Sequence, residues 1–315
     1  MEDLLGMGFT VLRLAALWSR FEPRPGVFDA SSLDWQIEAA ARAGRDVILA
    51  LGPVKNVGYP EFYVPAHHLP GPLREGAIVT AASHPELAEA ARTFLSRLVE
   101  RYRGVSSITA WQVEQEAVDP LGMEHSWRLA ADLVRAEVEL VRSLDPGRPL
   151  LLNGFLPMSR PVEVQQRWRT RDQGDSLALA MGLGDIVGLD VYPCHALAGL
   201  AGLGVYLHAG EAAASRRLGA AFAAARGRDL RVMVTEGQAE PWEAMTDPPS
   251  PDGRVAASCP PERLIETYNL CLKAAEDARV SLEAYLFWGA EYWLRRRRAG
   301  DPSYVGAVER VLEAG

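Results

Sequence analysis

Residues 12–35 read LRLAALWSRFEPRPGVFDASSLDW and contain the pattern that decides the fold class. An apolar run at 9–16 predicts a buried strand, a loop with Pro and Gly follows, and 33–44 has the spacing of an amphipathic helix. The next apolar run, DVILALG at 46–52, predicts a second strand. A strand, a helix and a strand in this order are typical of a parallel sheet wrapped by helices.

The same alternation continues to the end of the chain. Seven strands are predicted, near residues 9, 46, 108, 149, 185, 230 and 282, and further helices at 87–102, 127–144, 264–277 and 305–312. No GxGxxG or GxxxxGK[ST] follows any of these strands, which disfavours a nucleotide-binding open sheet. An α/β fold of the (β/α)8 TIM-barrel class fits if one strand is missing. Residues 1–7 look like the end of a helix, so we expect the missing strand to be the first. Either another segment covers the gap, or the chain associates, or the true start of the chain lies upstream of Met1. The whole of 1–315 is expected to form a single barrel domain.

Composition and charge exclude several classes of protein. The 33 basic and 41 acidic residues give a net charge of −8, which disfavours a nucleic-acid partner. No apolar run reaches the roughly 18 residues that cross a bilayer, and the first residues are acidic where a secretory signal is basic. We therefore expect a cytoplasmic protein that does not bind a membrane. The three cysteines lack metal-ligand spacing and there is no HExxH motif, so no cofactor or metal is implied.

Carboxylates follow two of the predicted strands. The segments are WQVEQE at 111–116 and TEGQAEPW at 235–242. Barrel enzymes build their active sites at the carboxyl ends of the strands, where partial burial raises the pKa of a carboxyl group. Acidic residues also cap helices without any catalytic role. Because both strand ends are flanked by Trp and Gln, we favour chemistry, and two carboxyl groups across a cleft are what glycoside hydrolysis requires.

Aromatic residues lie at or just beyond strand ends, as expected of a sugar site. They are Trp18, Tyr192, Trp242, Trp288 and Trp293. A sugar ring packs its apolar face on an aromatic plane, although each aromatic residue taken alone could be ordinary core. Long loops at 53–83, 193–210 and 238–261 follow strand ends and are expected to wall a cleft.

Four segments, in chain order, resemble the clan GH-A glycoside hydrolases. Residues 12–35 are similar to the second-strand region of that clan and 111–116 to its fourth-strand motif. Residues 235–242 are similar to the seventh-strand end of cellulase-like (family 5-like) members, and LFWGAEYW at 286–293 to the eighth strand. The resemblance implies a retaining glycosidase that cleaves a β-linked sugar by double displacement.

The resemblance also implies roles for individual residues. Glu116 would be the general acid/base and Glu236 the nucleophile. Arg13 would keep Glu236 ionised by charge pairing, Tyr192 would donate a hydrogen bond to it, and Trp288 would form the floor of the sugar subsite.

Several neighbouring residues complete the predicted site. Glu114 competes with Glu116, since residues two apart on a strand face the same side. Glu240 could rival Glu236, but lies outside the strand and is expected to contact substrate or cap a helix. Gln115 stands where the clan usually has Asn, so its contact with the sugar 2-hydroxyl could be re-aimed or weakened. The remaining predicted substrate-binding residues are Trp18, Lys55 and Trp242.

Other functions remain open at this stage. A carbohydrate-binding barrel that has lost catalysis would not need both Glu116 and Glu236. A transglycosidase would use the same residues. A metal-dependent hydrolase or an aldolase is disfavoured, because no strand end carries a His cluster or a Schiff-base Lys. The expected partner is a carbohydrate substrate, and an exposed barrel seam would favour a homo-oligomer.

Overall fold

The structure, a computed structural model, describes residues 1–58, 61–69, 71–120, 127–170, 172–200, 203–245 and 258–314. The strands are β1 Val11–Ala15, β2 Asp46–Ala50, β3 Ile78–Val79, β4 Ile108–Gln112, β5 Arg128–Leu129, β6 Leu150–Phe155, β7 Ile186–Val191, β8 Cys194–Leu200, β9 Leu203–His208, β10 Arg231–Gln238 and β11 Leu282–Trp288. The helices are α1 Glu2–Gly6, α2 Trp18–Phe21, α3 Ser31–Arg42, α4 Pro85–Tyr102, α5 Ala131–Leu144, α6 Arg160–Thr170, α7 Ser176–Leu183, α8 Glu211–Arg226, α9 Pro261–Ala278, α10 Ala290–Arg298 and α11 Ser303–Ala314.

Seven strands form the principal sheet in the order β1-β2-β4-β6-β7-β10-β11. The order is that of the sequence, and β1 pairs with β2, β2 with β4, β4 with β6 and β10 with β11 in parallel. Every residue of β6 and β7 is buried, as expected of parallel strands covered on both faces. The predicted seven strands are confirmed, and with helices between them they have the strand order of a (β/α)8 barrel with one strand fewer.

Contacts within the chain define two compact units. The first consists of Met1, Thr10–Gly154 and Arg167–Val187, and the second of Glu2–Phe9, Phe155–Gln166 and Gly188–Gly315. In the first unit α4 packs against α5 and β2 pairs with both β1 and β4. In the second α8 packs against α9, and α11 packs against α9 and α10. The single-domain assignment stays a prediction.

Two predicted segments differ from the structure. The helix predicted at 127–144 begins only at Ala131, because Arg128 and Ala130 donate their N–H groups to the carbonyls of Ala77 and Val79 at 3.0 and 2.9 Å. These bonds make a short parallel pair, β3–β5, from residues that the helical pattern could not separate. The loop predicted at 193–210 contains the antiparallel hairpin β8–β9.

The end of α3 follows the predicted chemistry. Gly44 has φ +64°, and the N–H of Arg45 donates to the carbonyl of Ala40 at 2.9 Å. This left-handed turn costs a glycine no Cβ strain and satisfies a carbonyl of the last helical turn.

None of the helices in the described ranges is both long and apolar enough to cross a bilayer. The cytoplasmic location stays a prediction.

Candidate active site

The acidic end of β4 carries a buried carboxyl group, Glu114. Its two oxygens accept the backbone N–H groups of Val54 at 3.1 Å and Lys55 at 2.5 Å. A second buried carboxyl, Glu137 of α5, interacts with it. Burial raises the pKa of Glu114 to about 7, and burial together with the charge of Glu114 raises the pKa of Glu137 well above its usual range. The pair therefore holds a proton inside the fold.

Lys55 is fully buried and ties down the segment that follows β4. Its Nζ donates to the carbonyl oxygens of Glu116 at 2.6 Å and Asp119 at 3.0 Å. Glu116 is partly exposed and has φ +39°, and Glu114 has φ +57°. Positive φ is uncommon outside glycine and persists only where surrounding contacts impose it. The lysine thus fixes the backbone of Glu116, while its predicted contact with sugar hydroxyls stays a prediction.

Three amide side chains form a buried network at the same strand end. Gln115 Oε1 accepts from Gln112 Nε2 at 3.0 Å and from Asn153 Nδ2 at 2.9 Å. Asn153 Oδ1 accepts from the N–H of Glu116 at 3.3 Å. Asn153 is not among the residues predicted from the sequence, although an amide inside the otherwise apolar run LLLNGF is a signal. The network positions Gln115, whose predicted sugar contact stays a prediction.

Trp18 and Asn56 serve the packing of the first unit. Trp18 is fully buried, stacked on Phe94 with 5.2 Å between ring centroids, and its Nε1 donates to Glu22 at 3.0 Å. Asn56 Nδ2 lies within hydrogen-bond distance of three backbone carbonyls, those of residues 16, 50 and 52. Trp18 presents no open ring face, so its predicted sugar contact has no support from its placement. Arg13 lies on β1 and is partly buried.

The second unit carries the other predicted carboxylate. Glu236, in β10, is buried and its Oε2 accepts a hydrogen bond from Tyr192 Oη at 2.6 Å. At the preceding residue of β10, Thr235 Oγ1 donates to Asp190 at 2.7 Å. The structure therefore brings Tyr192 and Glu236 together, with one carboxylate oxygen held by a phenol.

Aromatic side chains cluster around Tyr192. Its ring lies 5.2 Å from that of Trp242, and Trp242 and Trp288 both pack against the cluster of Phe155, Val162 and Tyr192. Trp242 Nε1 donates to the carbonyl of Cys194 at 2.6 Å, which fixes its plane. Trp293 follows the end of β11, but it is 1% exposed in the hydrophobic core, and its Nε1 donates to the carbonyl of Ala239.

Glu240 is a second ionisable group of this unit. Burial, followed by the charge of Glu291, raises its pKa to about 7 against an opposing hydrogen bond from Trp288. Its surroundings therefore favour the protonated form of this carboxyl more than water does.

A family model described as β-galactosidase, that of glycoside hydrolase family 42, matches residues 2–135. The resemblance to the clan GH-A glycoside hydrolases is confirmed. The match lies in family 42 of that clan, where the sequence motifs had suggested its cellulase-like members.

Solved structures of glycoside hydrolases share the fold. Native xylanase 10B from Thermotoga maritima is 15% identical with a TM-score of 0.59, over 99% of this chain and 90% of that one. A β-galactosidase from the psychrophilic Marinomonas ef1 is 13% identical with a TM-score of 0.59, over 99% of this chain and 56% of that one. A fungal β-1,4-galactanase is 16% identical with a TM-score of 0.56, over 96% of this chain and 83% of that one. These likenesses confirm the TIM-barrel fold class. A search of curated proteins returned no match.

Proposed function

We propose that this protein is a glycoside hydrolase, a retaining β-glycosidase with Glu236 as its nucleophile. The observation that carries the proposal is the 2.6 Å hydrogen bond from Tyr192 Oη to Glu236 Oε2. A carboxylate with one oxygen held by a phenol keeps a fixed orientation, as a nucleophile aimed at an anomeric carbon must.

Glu116 is proposed as the general acid/base in preference to Glu114. Both oxygens of Glu114 accept backbone N–H groups, and the side chain is 1% exposed. Glu116 is partly exposed, and its backbone is fixed on both sides, by Lys55 at the carbonyl and by Asn153 at the N–H. A general acid must reach the substrate, so these contacts favour Glu116.

The reaction has two displacements. Glu236 attacks the anomeric carbon as the glycosidic C–O bond breaks, and Glu116 gives its proton to the leaving oxygen. Glu116 then takes a proton from water, which attacks the anomeric carbon and releases Glu236. The mechanism requires the two carboxyl groups to approach within about 5 Å.

The substrate is proposed to be a neutral β-linked sugar. Tyr192, Trp242 and Trp288 offer aromatic surface for an apolar sugar face, and Glu240 offers a carboxyl for a hydroxyl. Lys55 and Gln115 are proposed to support Glu116 within the first unit, Lys55 at its carbonyl and Gln115 through Asn153. The family description makes β-galactosides the first substrates to try.

The test is hydrolysis of a panel of aryl β-glycosides by wild type, Glu236→Ala and Glu116→Ala, each with and without azide. We expect Glu236→Ala to lose at least about 10⁴-fold in kcat, consistent with the loss of a covalent step. Azide should rescue it by forming the glycosyl azide of inverted configuration. Glu309→Ala, an exposed helical glutamate, is the matched control and should keep wild-type activity.

Other outcomes separate the remaining functions. A transglycosidase would give mainly transfer products when a sugar acceptor is added. Binding of natural glycans without cleavage of any of them would contradict the enzyme and favour a carbohydrate-binding barrel.

A further inference from the structure

Glu22, His67 and His68 converge at one point in the first unit. His67 Nε2 lies 3.2 Å from Glu22 Oε1, and His68 Nε2 lies 3.0 Å from Glu22 Oε2. One ligand atom from each of the three residues falls within 4.8 Å of the others. We propose that Glu22, His67 and His68 form a binding site for one divalent transition-metal ion of the Zn²⁺ class.

The spacing of the donor atoms suits such an ion. Zn²⁺ binds imidazole nitrogen and carboxylate oxygen at about 2.0–2.1 Å, so neighbouring ligands of a tetrahedral site lie about 3.3 Å apart. The two N–O separations are 3.2 and 3.0 Å, so small side-chain shifts would admit the ion. Two histidines and one glutamate with an open fourth position are an established zinc ligand set.

The backbone directs both imidazoles to the same carboxylate. His67 and His68 are consecutive residues of the 3₁₀ turn Ala66–His68, where successive side chains point about 120° apart. Their ring centroids are nevertheless only 4.4 Å apart. The N–H of Ser19 donates to the carbonyl of Tyr63 at 2.7 Å, which joins the segment before Glu22 to the segment before the histidines.

The ligands also have the support that metal ligands need. Trp18 Nε1 donates to Glu22 Oε2 at 3.0 Å, and the Trp18 ring lies 4.8 Å from that of His68. A ligand carboxylate that an outer hydrogen-bond donor orients is prepared for a cation.

A cleft gives the ion a route from solvent. Its volume is about 640 Å³, and its lining includes Glu22, His68, Glu86 and Glu89 together with one basic side chain, Arg97. All three proposed ligands keep a fifth to a quarter of their side-chain surface exposed. Water from this cleft would supply the fourth ligand.

The test uses the full chain, purified without a polyhistidine tag and stripped with a chelator. We expect calorimetric titration with ZnCl₂ to show one equivalent bound, and CoCl₂ to give the visible absorption of a four-coordinate N/O site. His67→Ala/His68→Ala should weaken binding by about 100-fold or more, since even outer-shell partners change metal affinity 10–100-fold. Zn²⁺ should raise the Tm of wild type and leave that of the double variant unchanged.

His208→Ala is the matched control, because His208 Nε2 lies 3.6 Å from Cys194 Sγ and could hold zinc elsewhere. This variant should bind as wild type does. Glu22→Gln keeps the shape of the side chain and should also weaken Zn²⁺ binding. It replaces the double variant in the test if the double variant does not fold. The proposal would be overturned if wild type did not bind Zn²⁺. It would also be overturned if the double variant and Glu22→Gln both bound Zn²⁺ with the affinity of wild type.

Discussion

At the scale of single residues, the buried carboxyl groups of Glu114 and Glu137 should make the stability of the protein depend on pH. Burial raises both pKa values, that of Glu114 to about 7, so the folded chain binds a proton that the unfolded chain releases above its ordinary pKa of 4.5. The contribution of this pair to the free energy of unfolding is therefore fully present below pH 4.5 and is lost as pH rises from about 4.5 through about 7. Each proton contributes a slope of about 1.4 kcal/mol per pH unit.

Glu137→Gln should remove most of this slope. The amide can donate to Glu114, which then ionises with the N–H groups of Val54 and Lys55 still in place. Between pH 5 and pH 8, the free energy of unfolding should therefore fall less in the variant than in wild type. Urea unfolding at both pH values measures it, with Glu309→Gln as the exposed control. A slope equal to that of wild type would contradict the buried proton.

At the scale of elements, the close approach of β6 to α7 depends on Gly154. A Cβ at this position would lie 2.2 Å from the backbone nitrogen of Leu177 and 2.6 Å from its Cα. Because the obstacle is backbone, Gly154→Ala must displace the start of α7, and we expect a loss of about 2–3 kcal/mol or more in the free energy of unfolding. Gly147→Ala is the control, since nothing lies within 4 Å of its added Cβ. Denaturant unfolding measures the stability of both variants. Equal stability of Gly154→Ala and Gly147→Ala would contradict the prediction, because it would mean that α7 shifts without cost.

At the scale of the whole molecule, the net charge of −8 bears on substrate class. A negative protein slows encounter with an anionic polymer, so a neutral glycan should be cleaved faster than its carboxymethylated form at low salt. Raising the ionic strength from 0.01 to 0.1 M shortens the Debye length from about 30 to about 10 Å. The difference in cleavage rate between the two glycans should therefore become smaller. The neutral glycan is the internal control. Faster cleavage of the anionic form at low salt would contradict this prediction.

Most of the fold could be predicted from the sequence because its signal is local. Runs such as LLLNGF and DIVGLDV are apolar enough to mark strands buried on both faces, and each is a strand of the sheet. The hairpin formed by Cys194–Leu200 and Leu203–His208 could not be predicted, because Ala and Gly have little preference for strands.

Much of the candidate site depends on contacts distant in sequence. The strand-end glutamates could be found because they follow apolar runs. Glu137 has no such mark, since it reads as one more acidic residue of an amphipathic helix. Likewise His67 reaches Glu22 across 45 residues, a separation that no ligand motif encodes. The hydrogen bonds from Lys55 to the carbonyls of Glu116 and Asp119 could not be predicted either, because they also join residues far apart in sequence.

The burial of Lys55 has a practical consequence for chemical labelling. The chain has one other lysine, Lys273, which is exposed on α9. An amine-acylating reagent should therefore modify Lys273 and the terminal amine in the native protein, and reach Lys55 only when the segment after β4 releases it. Mass spectrometry of the acylated peptides would read out local opening around Glu116 directly, and attachment to a support through Lys273 would leave the Lys55 ammonium in place.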